Sequence, residues 1–495
     1  MSNVIRKRRG ALIGFDLAAR DGHVADGPDF RMLIGGELVA GVGVVDVIDP
    51  ADESIVAQCP IASEAQFDQA VAAAQAAFGE WRHVPPVERA RMLRALGAAV
   101  AARGEELARL LTREQGKTLA QARDEVRFAC AFVDYFADNT ELPVEIRRDD
   151  DGQRIEIRRR PLGVIAAICP WNFPLLITLY KLAPAVAVGN TVIIKPAPTT
   201  PLTSLRIGEI ARDVFPAGVV NIIADDNRLG PAITAHPGIA KLSFTGSTPT
   251  GKAIMASAAG TLKRLTLELG GNDAAIVLDD VDPAAIAEAI FGAAFVNSGQ
   301  VCIALKRLYV HASIYDEMCD RIAALARAAV VGPGNAETSQ FGPVQNRRQY
   351  DKVRGYIDDA RRHGRIVAGG VLPEGPGFHV PLTVVRDIAD GCAVVDEEPF
   401  GPVLPIISYT DLDDVVARAN ASPYGLGASV WSSDAARGAA VARRIESGTV
   451  WVNQHCAFGP DIPFPPAKES GLGVEWGRDG LLEYTAMQVI NINKS

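Results

Sequence analysis

The chain has 495 residues, 48% hydrophobic and 22% charged, with a formal net charge of -9 at pH 7. It is too long for one ordinary hydrophobic core, so two or three domains are expected. The acidic balance excludes nucleic acid and anionic membrane as main partners, since both need a basic surface, and no stretch reaches the roughly 18 uncharged apolar residues that span a bilayer.

Residues 1–29 open with a basic run, Ile5 to Arg9, followed by a short apolar stretch that Asp16 interrupts. They read as a flexible tail rather than a targeting signal. Residues 30–60 read as short strands broken by Gly and Pro. Ser63-Glu64-Ala65-Gln66 has the form of a capping box at the start of an Ala-rich helix. Helical spacing continues through 87–137. Polar and apolar residues then alternate in QRIEIRRRPLG, as in a strand with one wet face. Next come the apolar strands GVIAAIC, TVIIK, GVVNIIA, KLSFTG and RLTLEL, separated by helical stretches. That alternation predicts βαβ units and a parallel sheet, and continuous apolar runs predict burial on both faces. A second α/β region runs from DAAIVLDD to WVNQ, a Pro- and Gly-rich loop covers 455–476, and AMQVININ reads as a last strand.

The seven cysteines (Cys59, Cys130, Cys169, Cys302, Cys319, Cys392 and Cys456) are scattered, odd in number and form no CxxC. Neither a disulfide framework nor a metal site is expected, and a reducing, cytoplasmic setting fits.

Several residues could do chemistry. Cys302 follows a helical run and a glycine, which suggests an exposed loop thiol able to act as a nucleophile. The plainer reading is a small buried hydrophobe. Glu268 ends an apolar strand just before two glycines, where open α/β sheets place ligands, and could activate water. Taken alone, its plainer reading is an exposed strand-end residue. Asn172 sits between two prolines in CPWNFP, a rigid loop that suits an amide donor aimed at developing negative charge, or one bonded to its own turn. Lys195 ends TVIIK, where it could bind a cofactor's ribose or phosphate. Ser247 or Thr248 can cap the next helix, whose free N–H groups attract a pyrophosphate. The GxGxxG fingerprint is absent.

Taken in order, CPWNFP, Lys195-Pro196-Ala197, FTGST, LELGG, GQVC and EEPFGP resemble the motif series of the aldehyde dehydrogenase superfamily, of the hydrolytic, NAD(P)-dependent type. The resemblance runs from about residue 30 to the end. It implies that Cys302 is the nucleophile, Glu268 the general base, and Asn172 with the Cys302 N–H the oxyanion hole. Lys195 resembles the adenosine-ribose lysine and Ser247 the serine near the pyrophosphate. Ile168 and Trp171 match the cofactor cleft, and Glu398 and Phe400 the pair at the nicotinamide. The substrate channel is expected to include Phe173, Tyr180, Val301, Ile303, His455, Phe458 and Phe464. Being apolar and aromatic, with no obvious Arg, it favours aliphatic or aromatic aldehydes.

The implied architecture is two doubly wound α/β domains plus a small β oligomerisation element. The NAD(P)-binding domain takes 30–137 and 161–267, the catalytic domain 268–477, and the oligomerisation element 138–160 with 478–495. A homodimer or homotetramer is implied, since exposed strand edges need partners. NAD is the expected cofactor and NADP the alternative. The chain departs from the family pattern at Pro198 (often Glu), at Ala224 to Arg228 (often glycine-rich), at Asn272 (usually Lys) and at Pro463 to Pro466 (usually PFGG). Pro198 removes a carboxylate that would repel a 2′-phosphate, so looser NAD selectivity is expected. Two rivals are a CoA-acylating semialdehyde dehydrogenase, against which Glu268 speaks, and a non-catalytic binding protein on the same fold.

Overall fold

The computed structural model describes residues 29–494; most of the expected N-terminal tail lies outside them. The strands predicted from the apolar runs form at Val164–Ile168, Thr191–Lys195, Val220–Ile222, Lys241–Thr245 and Arg264–Glu268. All five are parallel. Numbered along the chain, they lie side by side as third, second, first, fourth and fifth. The order reverses beside Val164–Ile168, the position where a doubly wound sheet opens a ligand crevice at its carboxyl edge. Met32–Ile34 and Glu37–Val39 extend one edge of this sheet. Gly471–Leu472, from the stretch expected in the catalytic half, pairs with Arg264–Glu268 at the other.

The capping box is present at Ser63, with both reciprocal bonds made to Gln66. The helices Glu64–Trp81, Pro86–Ala102, Gly104–Gln115 and Leu119–Asp138 follow it. Pro86 stands at the first turn, where its missing N–H costs nothing.

The second sheet has seven strands, in the order Arg365–Ala368, Thr383–Arg386, Val403–Tyr409, Leu305–His311, Asp273–Val277, Gly427–Trp431 and Thr449–Val452. Ala274 and Ile276 point into one core and Ala275 and Val277 into the other. This two-sided burial is why the strand is apolar throughout; each Val or Ile so placed stabilises the fold by about 1.5–3 kcal/mol. A separate antiparallel sheet joins Glu145–Asp149, Gln153–Pro161 and Thr485–Asn493. No helix of the described residues is long and apolar enough to cross a membrane.

The two larger sheets meet where Glu268 ends one and Asp273 begins a strand of the other. At this seam Gly271 passes so close to the Cys302 carbonyl that a Cβ would lie 2.5 Å from its oxygen. Only glycine permits that approach.

Candidate active site

Cys302 lies just beyond the helix Pro283–Phe295. The chain between them is bent by three left-handed residues, Asn297 (φ 49°), Ser298 (φ 55°) and Gly299 (φ 72°). Left-handed backbone at a side-chain-bearing residue costs about 1–3 kcal/mol and persists only where surroundings over-determine it. Here they do. Asn297 Nδ2 donates to the Asn172 carbonyl (3.1 Å) and Ser298 Oγ to that of Gly342 (2.7 Å). Gln300 Oε1 accepts the Gln345 N–H (2.8 Å). Lys306 Nζ gathers the carbonyls of Val301 (2.9 Å), Cys302 (2.6 Å) and Ala304 (3.3 Å).

The thiol is not on an exposed loop, as the sequence suggests, but inside a cavity. Burial pushes it up to about 12; nearby Glu398, Glu268 and Asp273 add to the effect and Lys306 opposes it. The resting group is therefore a thiol that needs a base or an added positive charge to become a nucleophile.

Asn172 belongs to the loop before the helix Pro174–Ala187. Its Nδ2 donates to the Gln300 carbonyl at 3.0 Å, which leaves one amide hydrogen uncommitted. The Cys302 N–H has no partner among the described residues. The loop is held from beneath by two residues that no motif reveals. Lys117 Nζ donates to the Asn172 carbonyl (2.9 Å) and pairs with Glu125. Glu125 Oε1 accepts the Leu175 and Leu176 N–H groups, both at 3.1 Å, and so caps the helix that Phe173 leaves uncapped. Neither residue is conspicuous in sequence, because the pairing forms only when a distant helix packs behind the loop.

Glu268 is 4% exposed, and neither carboxylate oxygen has a hydrogen-bond partner among the described residues. Desolvation holds its proton well above the ordinary carboxylate range; Glu475 adds to this and Lys181 opposes it. Lys181 Nζ is bound to Glu475 Oε1 (2.6 Å) and Ser243 Oγ (2.8 Å). A buried, unpartnered carboxyl whose pKa lies above the ordinary range suits general-base work.

Cys302, Glu268 and Asn172 line one cavity of about 380 Å³. Trp171, Ser247, Glu398, Phe400, Phe173, Tyr180, Val301, Ile303, Phe458 and Phe464 line it too. Trp171 and Phe400 meet edge to face at 5.1 Å. Phe400 is left-handed (φ 48°), and Gln349 Nε2 holds its carbonyl at 3.0 Å. Glu398 accepts the Gly271 N–H at 3.0 Å. Trp476, unmarked by any motif, stacks between Phe458 (5.2 Å) and Phe464 (4.5 Å). Among the described residues Lys352 is the one cation in the lining, and its Nζ is taken by the Glu398 carbonyl at 3.1 Å.

Three expected residues lie outside this cavity. Ile168 and Lys195 stand at the carboxyl ends of their strands, Lys195 buried. His455 is not a channel residue. Its ring is fully buried between Ser429 Oγ and the Ile303 carbonyl, each at 2.9 Å, and burial drives its pKa down to about 3. A neutral imidazole here props the wall behind Cys302, while the next residue, Cys456, reaches the cavity. The capping expectation fails at the helix Thr248–Ala258. Ser247 holds the cap position, but its Oγ turns to Thr250 Oγ1 (2.9 Å), and Thr248 Oγ1 accepts the Gly270 N–H at 3.4 Å. The N–H groups of Thr248 and Thr250 thus remain without partners among the described residues.

Residues 39–490 match the profile of the Aldehyde dehydrogenase family. A Pseudomonas protein named a probable aldehyde dehydrogenase is 42% identical over 472 residues, covering 94% of this chain and 95% of its own. The phenylacetaldehyde dehydrogenase of Pseudomonas fluorescens is 38% identical, covering 93% and 95%. Among solved structures, an aldehyde dehydrogenase from Bacillus cereus in complex with NAD+ superposes with a TM-score of 0.92 at 34% identity, covering 94% of this chain and 97% of that one. With its buried thiol, amide donor and unpartnered glutamate around one cavity, the chain belongs to the aldehyde dehydrogenase family.

Proposed function

We propose that this aldehyde dehydrogenase oxidises an aliphatic or aromatic aldehyde to its carboxylic acid with NAD, through a thiohemiacetal and then a thioester on Cys302. The observation that carries the reading is the meeting of Cys302, Asn172 and Glu268 in one otherwise apolar and aromatic cavity.

The residues present suit a dinucleotide. Asp225 Oδ1 is buried without a hydrogen bond beside Lys195, at the strand ends where a ribose would lie. The unpartnered N–H groups at Thr248 and Thr250 suit a pyrophosphate. Glu398, Phe400 and Trp171 would hold the nicotinamide end. When bound, the oxidised nicotinamide accepts the hydride that leaves the substrate carbon.

Cys302 Sγ adds to the aldehyde carbon as its proton leaves to base. The uncommitted Asn172 hydrogen and the Cys302 N–H receive the oxyanion, and one such donor is worth about 3–4 kcal/mol. After oxidation the acyl group remains on Cys302. Glu268 then takes a proton from water, whose oxygen attacks the thioester and expels the Cys302 sulfur. The Phe458–Trp476–Phe464 stack supports a flat or extended apolar substrate, in line with the phenylacetaldehyde named for one relative.

The work divides with the sheets: 30–137 and 161–267 hold the cofactor and 268–477 carries the nucleophile. The segments 138–160 and 478–495, which contribute the strands of the antiparallel sheet, are read as the oligomerisation element. Ile146, Met487 and Val489 are 43%, 54% and 58% exposed on it, which supports a homodimer or homotetramer. NADH absorbance across an aldehyde panel, with products analysed with and without coenzyme A, tests the reaction. Free acid formed independently of coenzyme A is expected; acyl-CoA as the product, or no reduction with any aldehyde, overturns it.

A further inference from the structure

A second buried charge cluster lies at the carboxyl ends of the strands Thr191–Lys195 and Val220–Ile222. Lys195 and Asp225 are 4% and 2% exposed. Lys195 Nζ stands 2.7 Å from Asp225 Oδ1 and donates to Asn227 Oδ1 at 2.9 Å. Asn227 is left-handed (φ 76°), which folds its side chain back over the lysine. Asp225 Oδ2 accepts the Leu229 N–H at 2.8 Å. Oδ1 makes no hydrogen bond among the described residues, because the lysine approaches it off the bonding direction.

In a doubly wound sheet the adenosine ribose reaches the end of the second strand, and a carboxylate there accepts its hydroxyl. In this sheet the second strand ends in Lys195, and half-buried Pro198 follows without any polar group. We propose that Asp225, delivered from the neighbouring strand, is the residue that selects NAD over NADP. Its Oδ1, ion-paired with Lys195 but making no hydrogen bond among the described residues, is the acceptor for an adenosine ribose hydroxyl. Its charge also neutralises Lys195, so that lysine has no surplus attraction for a 2′-phosphate. Bringing a phosphate of roughly two negative charges beside a buried carboxylate is unfavourable, and burial keeps salt from screening the repulsion. The cation best placed to offset it is Arg228 in the same loop, which is exposed and already paired with Asp226 at 2.8 Å. The looser NAD selectivity expected from Pro198 alone is thereby reversed.

The inference rests on NAD as the cofactor but not on aldehyde turnover, so binding tests it. Calorimetric titration of the full chain compares AMP with adenosine 2′,5′-bisphosphate, in wild type, Asp225→Asn and Asp225→Ser. Asn keeps the shape and an acceptor for the Leu229 N–H; Ser removes both charge and bulk. Wild type is expected to bind AMP at least about tenfold more tightly than the bisphosphate, equivalent to about 1.4 kcal/mol. Either variant is expected to bring the two within about threefold by tightening the bisphosphate. An unchanged preference in both variants, or a wild-type chain that binds the bisphosphate as tightly as AMP, overturns the proposal. Selective AMP binding without reduction of NAD by any aldehyde would instead remove the reaction and leave this site standing.

Discussion

The helix Leu119–Asp138 and the strand Arg264–Glu268 each bury a glutamate near the reaction cavity, and they treat it in opposite ways. Glu125 is paired with Lys117 and accepts two backbone N–H groups. Glu268, as buried, has neither oxygen bonded among the described residues. A buried charge with both oxygens bonded anchors its surroundings; one left open is costly and reactive. The first holds the Asn172 loop in place, and the second is the proposed general base.

The sharpest way to break this comparison is to remove the proposed nucleophile. Cys302→Ala should abolish turnover while NAD titration and the thermal midpoint stay near wild type. Retained steady-state oxidation would end the thioester mechanism.

Next in size is Glu268→Gln, expected to slow steady-state turnover about 10²- to 10⁴-fold. Rapid mixing should show an NADH burst followed by the slow phase, because acylation precedes the step that needs the base. The variant should unfold no earlier than wild type, since it loses an uncompensated carboxylate. Equal slowing of both phases would assign the base elsewhere.

Glu125→Ala should do the reverse. It strands Lys117 and two N–H groups, at about 3–5 kcal/mol of stability, and a fall in thermal midpoint reads this directly. Glu125→Gln combined with Lys117→Met should recover most of that loss. If the double variant is as unstable as the single one, the pair is not what holds the loop.

The smallest expected effect is in pH dependence. Glu268 in the unfolded chain releases its proton near the ordinary carboxylate value, whereas the folded chain holds it to higher pH. Between the two values the unfolded state binds fewer protons, so this group's contribution to stability falls as pH rises. The difference in thermal midpoint between wild type and Glu268→Gln should therefore widen with pH above about 4.5. Asp273 and Glu114, both raised to about 7, titrate in both proteins and cancel in the difference. A difference that stays flat with pH would mean that Glu268 is not desolvated as described.

Cys302, Glu268 and Asn172, which share one cavity, could be picked out because each sits in a short motif tied to a strand end or a Pro-bounded turn. His455 was misplaced for a physical reason. Motif order brings a residue near the channel but does not say which way its side chain turns, and the neighbouring Cys456 faces the cavity instead. Ser247 shows the same limit at a helix start, where its hydroxyl found Thr250 rather than the backbone.

The chain's own pattern was enough for the five parallel strands of the first sheet, a second α/β region, the strand ends that offer Glu268 and Lys195, and the capped helix at Ser63. Periodicity and turn chemistry are local, and burial on both faces writes itself into consecutive residues. The partners of the buried charges were settled only in three dimensions: Lys117 with Glu125, Lys181 with Glu475, Lys195 with Asp225. Ion pairs carry no sequence period, and their members here lie up to 294 residues apart. Desolvation, which raises both Cys302 and Glu268, likewise depends on what the whole fold excludes from the cavity rather than on any neighbour in the chain.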